Sequence, residues 1–96
     1  MKKINKKKLN ELLEKGAALI DMRSPVDYRD GNVTGSKNLP LRNFINSLYK
    51  HDKKVPIALI VKSFEDDESD IKLVDTYAAQ VKFEKIYVIE YNQIAE

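Results

Sequence analysis

Residues 57–61 read Ile-Ala-Leu-Ile-Val, an unbroken apolar run bounded by a lysine-rich turn at 50–54 and by an acidic stretch that starts at Glu65. A strand with no polar alternation has no face to offer to water, so it must be covered on both sides, as the central strand of a parallel sheet is. Parallel neighbours need helical crossovers, and the rest of the chain supplies them. Asn5 is placed to cap a helix from about Lys6 to Lys15 with Leu9, Leu12 and Leu13 on one stripe, and Gly16 follows where a left-handed terminal residue is wanted. Ala17–Met22 is a short buried strand, and Ser24-Pro25 with Asp27 reads as the cap, first-turn proline and supporting acid of a short helix ending before Gly31.

Lys37–Leu39 is a brief strand stopped by Pro40, after which Phe44, Ile45 and Leu48 recur at helical spacing through Tyr49. From Ser69 on, Ile71, Val74, Tyr77, Ala78 and Val81 mark an amphipathic helix capped by Ser69 or a neighbouring Asp, and Ile86–Ile89 is a last buried strand. The predicted fold is α/β, a small parallel sheet flanked by helices on both faces, with residues 1–96 as a single domain.

Composition narrows the function classes. With 43% hydrophobic and 33% charged residues the chain is neither a disordered nor a membrane composition, and no uncharged run approaches the ~18 residues of a span. No membrane partner is expected. The lysine-rich start leads into an amphipathic stretch and not into the apolar block of a signal peptide, and the absence of cysteine fits a reducing compartment, so the expected location is the cytoplasm. Zero cysteine also removes disulfides and thiolate metal sites.

The net charge of +2 hides an asymmetry: residues 1–56 carry 13 basic against 6 acidic side chains, and residues 57–96 carry 4 against 9. A half of net −5 repels phosphates, which argues against a nucleic-acid partner despite a basic isoelectric point. Lys2, Lys3, Lys6, Lys7 and Lys8 read as a solvated helix face, since no aromatic platform or arginine-rich reader accompanies them. The opposite charges of the halves permit weak head-to-tail self-association of an otherwise monomeric chain.

Residues 19–41, LIDMRSPVDYRDGNVTGSKNLPL, closely resemble the opening signature of rhodanese-like domains. Leu19-Ile20-Asp21-Met22-Arg23 is similar to the family's strand and its acid-x-arginine ending, Tyr28 to the aromatic of the short helix, and Gly31, Val33, Gly35, Asn38 and Pro40 to the following turn. Asn32 stands where the family usually has histidine, and Thr34 where proline is common. The resemblance implies a sulfurtransferase scaffold whose catalytic cysteine directly follows the strand corresponding to residues 57–61. That register places Val61 at the cysteine position, with Lys62, Ser63, Phe64, Glu65 and Asp66 in the active-site loop. Phe83 lies later than the resemblance implies, which predicts an enlarged loop, and Tyr91 and Asn92 replace the glycine pair often found after the last strand.

Such enzymes hold sulfur as a persulfide on a thiolate, and loss of a nucleophile costs about a million-fold in rate. Ser63 lacks a nearby base, because the only histidine, His51, falls in the distant charged turn. A helix N-terminus favours an anion by ~0.3–1 kcal/mol. Each carboxylate ~8 Å away opposes it by ~0.5–2 kcal/mol. Glu65, Asp66, Asp67, Glu68 and Asp70 therefore predict a loop that rejects thiosulfate, phosphate and persulfide.

These acids have two readings: complements to the helix macrodipole, or an interaction surface for a protein partner of unknown identity. No metal site is expected, since the run lacks EF-hand ligand spacing, and no cofactor is implied. Asp21 and Arg23 read as a hydrogen-bonded pair tying strand to turn. The functional reading is a noncatalytic rhodanese-like module for protein interaction or regulation. Its alternative is an enzyme of another type using loop carboxylates or Ser63, with metal assistance.

Overall fold

A computed structural model describes residues 1–95; Glu96, the last residue of the predicted 1–96 span, lies outside the described residues. Its core is a five-stranded parallel sheet in the order β1-β5-β4-β2-β3, built from β1 (Lys2–Lys3), β2 (Ala18–Asp21), β3 (Lys37–Asn38), β4 (Ile57–Val61) and β5 (Ile86–Glu90). Four helices connect these strands: α1 (Lys6–Glu14), α2 (Pro25–Asp30), α3 (Leu41–Leu48) and α4 (Glu68–Gln80), with a 3₁₀ turn at Tyr91–Gln93.

The apolar run at 57–61 is the central strand, and every one of its residues is buried. Period-two alternation divides it between two cores. Ile57, Leu59 and Val61 join Phe44 and Leu48 of α3 and Ile71, Val74 and Ala78 of α4, while Ala58 and Ile60 join Leu9 of α1, Leu19, Ile89 and Ile94. The helices thus cover both sheet faces, as an all-apolar strand demands.

The local signals act as read. Asn5 Oδ1 accepts the Lys8 N–H at 2.9 Å, and Ser24 Oγ accepts the Asp27 N–H at 3.2 Å. Gly16 and Gly35 hold φ of 87° and 86°, where a Cβ would be strained.

Several expectations are corrected. The N-terminal lysines are not all on a helix: Lys2 and Lys3 form an edge strand, paired in parallel with Tyr87 and Val88 of β5. Of the two expected caps, Ser69 lies inside the helix and the neighbouring Asp67 holds the cap position of α4, which starts at Glu68, but its side chain bonds the preceding loop and makes no cap hydrogen bond. The loop after β4 is not enlarged, since only Lys62–Asp67, six residues, separate β4 from α4, a usual length for this connection. The intervening chain before Phe83 is taken up by thirteen helical residues. His51 is half-buried, with Nε2 3.0 Å from the Val55 carbonyl oxygen and its ring tilted on Phe83 at 5.4 Å.

Candidate functional site

In a parallel sheet all strands end on the same side, and the loops leaving their C-terminal ends meet there. The ends of β2, β4 and β5 bring together Asp21 and Arg23, the 62–67 loop, and Glu90 with Tyr91.

The first part is a rigid brace. Asp21 is fully buried. Its Oδ1 accepts the Arg23 backbone N–H at 2.9 Å and Nε at 3.1 Å, and its Oδ2 accepts Nε at 3.0 Å and Nη2 at 2.9 Å. Nη2 also donates to the Gly31 carbonyl at 2.6 Å, and the guanidinium lies 3.6 Å from the Tyr91 ring centroid, a stacked cation–π arrangement.

Asn38 Nδ2 donates to the carbonyls of Asp21 and Arg23 at 3.0 and 2.9 Å, and the Tyr28 hydroxyl donates to the Ser36 carbonyl at 2.6 Å. The Pro40 carbonyl accepts the first bond of α3, from Phe44 N–H at 2.9 Å. Asp21, Arg23, Tyr28, Gly31, Gly35 and Asn38 thus build the β2-α2-β3 connection, with Pro40 opening α3 after it, and Nε and Nη2 of Arg23 are engaged within it.

The second part is the loop. Val61, the last residue of β4, is buried and lines a cleft of about 230 Å³ together with Met22, Arg23, Ser24, Asp27, Lys62, Asp67 and Asp70. After Val61 the chain turns so that consecutive amides face inward. Lys62 N–H and Ser63 N–H converge on Asp67 Oδ2, at 3.0 and 3.1 Å. Phe64 N–H donates to Glu90 Oε2 at 2.9 Å, and Asp66 N–H to Ser63 Oγ at 3.1 Å. Such a row of amides before a helix is an anion receptor, and here both anions belong to the chain itself.

Phe64 packs against the core with Lys3 Nζ 4.9 Å from its ring centroid. Glu65, Asp66 and Glu68 are exposed, whereas Asp67 and Asp70 are half-buried. Glu68 bonds Lys72 at 2.9 Å; that hydrogen bond, followed by the charge of Lys72, holds its carboxyl below the usual carboxylate range.

The predicted acidic run therefore divides into outward and inward members. The sequence predicts neither the inward role of Asp67 nor the contribution of Glu90. The one available sign was a carboxylate ending the otherwise apolar-aromatic strand Ile-Tyr-Val-Ile-Glu. Ser63 Oγ accepts the Asp66 N–H, and His51 precedes β4 at the opposite end of the sheet, remote from it. Among the described residues no group of three or more His, Cys, Asp or Glu side chains could hold a metal ion. No described helix is long and apolar enough to cross a membrane.

The family model for the rhodanese-like domain matches residues 5–92. Among curated proteins none matches. A rhodanese-related protein from Thermoplasma volcanium superposes with a TM-score of 0.68 at 18% identity, over 94% of this chain and 84% of its own. SSP1007 from Staphylococcus saprophyticus gives 0.69 at 14% identity, over 100% and 99% of the two chains. The human single-domain sulfurtransferase TSTD1 gives 0.63 at 14% identity, over 97% and 94%. At these identities the structures speak to fold alone.

Proposed function

Because this chain belongs to the rhodanese-like domain family, we propose that it is a noncatalytic member, one domain over residues 1–96, serving as a protein-interaction or regulatory module with sulfurtransferase activity lost. The observation that carries this reading is the occupied receptor: the amides of Lys62, Ser63 and Phe64 are satisfied by Asp67 and Glu90 in a chain that has no cysteine. A charge-assisted bond to a fixed carboxylate is worth about 1.5–3 kcal/mol, and an outside anion must displace it against Asp27 and Asp70 as well.

What the scaffold offers outward is Glu65 and Asp66 on a short loop held by the Phe64 and Asp66 amide bonds, and Glu68 in the first turn of α4 beside Lys72. This suits a basic surface on a protein partner, with monomer or weak self-association as the state of the chain. The lack of thiols suits a reducing cytoplasm.

Two measurements test the proposal. Capture from lysate with wild type and with the variant Glu65→Gln, Asp66→Asn, Glu68→Gln is expected to lose a salt-sensitive partner; unchanged partners would remove the loop from the interaction. These side chains accept no backbone N–H, so the fold is retained. In the second, Val61→Cys is assayed for transfer from thiosulfate to cyanide and is expected to stay at background. The introduced thiol is buried in the core and the adjacent amides remain engaged. Turnover near that of family enzymes would overturn the noncatalytic assignment.

A further inference from the structure

The outer edge of β2 is only half covered. β3 pairs with Ile20 and Asp21 and starts at Lys37, so Ala18 and Leu19 have no strand beside them on that side. Ala18 N–H donates to the Pro56 carbonyl, toward β4, at 2.8 Å. Because C=O and N–H of a trans peptide point opposite ways, the Ala17 carbonyl is turned to the open edge. The parallel register turns the Ala18 carbonyl to β4 as well, toward the Ala58 N–H, which leaves Leu19 N–H directed to the same open edge. Neither group has a hydrogen-bond partner among the described residues.

Beside this edge runs a groove of about 510 Å³ with Leu13 and Leu39 among its walls. Its charged lining consists of Lys37 and Lys50, with His51 beside them, and includes no carboxylate. It lies toward the N-terminal ends of the strands, away from the 62–67 loop.

We propose that this groove receives an extended, acidic segment of a partner protein, added to the sheet in line with β3. One residue of that segment, running parallel beside Ala18, donates its N–H to the Ala17 carbonyl and accepts the Leu19 N–H. This is strand addition at a free edge. Alternate side chains then fall toward Leu13 on one face and toward Lys37 and Lys50 on the other, so the favoured pattern alternates apolar and acidic residues.

The test uses the intact chain and a blocked peptide, acetyl-Val-Glu-Val-Glu-Val-amide, with amide chemical shifts followed by NMR. Shifts are expected at Ala18, Leu19 and Lys37. Lys37→Glu with Lys50→Glu is expected to weaken binding by about tenfold or more. The peptide with lysine in place of glutamate, and the fully N-methylated peptide, which has no N–H to donate, are expected not to bind. Equal binding of either control, or no shift at millimolar peptide, overturns the proposal. Shifts confined to residues 62–70 do so too. A dimer that needs Lys37 and Lys50 would make the occupant a second copy and overturn the assigned partner. Because the loop variant above leaves this groove intact, failure of one site does not imply failure of the other.

Discussion

Arg23→Ala is expected to lower the unfolding free energy by about 3–5 kcal/mol, a large share of the ~5–15 kcal/mol that holds a native domain together. The cost arises from what is left behind. Asp21 is fully buried, and among the described residues the guanidinium supplies the only positive charge bonded to it, through Nε and Nη2. Alanine keeps the backbone N–H donor and strands the carboxylate without its counter-ion. The Gly31 carbonyl and the Tyr91 ring lose their partner as well.

Arg23→Lys is expected to fall between the two, because an ammonium keeps the charge but cannot match both carboxylate oxygens and the Gly31 carbonyl in one plane. Asp21→Asn combined with Arg23→Gln removes both charges together, so its loss is expected to be smaller than the sum of the single losses. Urea unfolding measures all of these. A loss below about 1 kcal/mol for Arg23→Ala would mean that water replaces the guanidinium and that the brace is peripheral.

How far the sequence carries a reader depends on whether the cause is local. The all-apolar 57–61 run dictates a strand covered on both faces, and Asn5, Ser24 and Gly16 set helix ends within a few residues of themselves. Those features follow from short-range chemistry, and the sheet with helices on both faces follows from them. The β1 strand does not, because two exposed lysines carry no strand signal and pair only through the edge that β5 presents. The site fails to be read for a related reason. In the run Glu65 to Asp70 the carboxylates are interchangeable by composition, and only the turn geometry selects Asp67 as the one that faces Lys62 and Ser63. Glu90 meets Phe64 from 26 residues away. The sequence distance to Phe83 predicts an enlarged loop, but a longer helix accounts for that distance equally well.

Asp67→Ala is expected to behave as a receptor whose built-in ligand has been cut out. In chloride buffer the variant loses about 2–4 kcal/mol, since its carboxylate accepts two amide bonds of about 1.5–3 kcal/mol each and water replaces part of them. In sulfate at matched ionic strength the variant recovers stability, by about 1.4 kcal/mol when sulfate reaches ten times its dissociation constant. Wild type gains nothing specific from sulfate. A carboxylate attached a few residues away has an effective concentration that a free anion reaches only near the millimolar range, and Asp27 and Asp70 at the cleft oppose any newcomer. Unfolding of both proteins against sulfate concentration separates the cases. Equal response of wild type and variant would show that Asp67 does not guard the amides, and an unchanged variant without sulfate would show that those amides are satisfied by water. The expected difference between the two proteins follows from one fact of covalent structure: the backbone turn that cradles an anion is intact, and the anion it cradles is supplied by the chain.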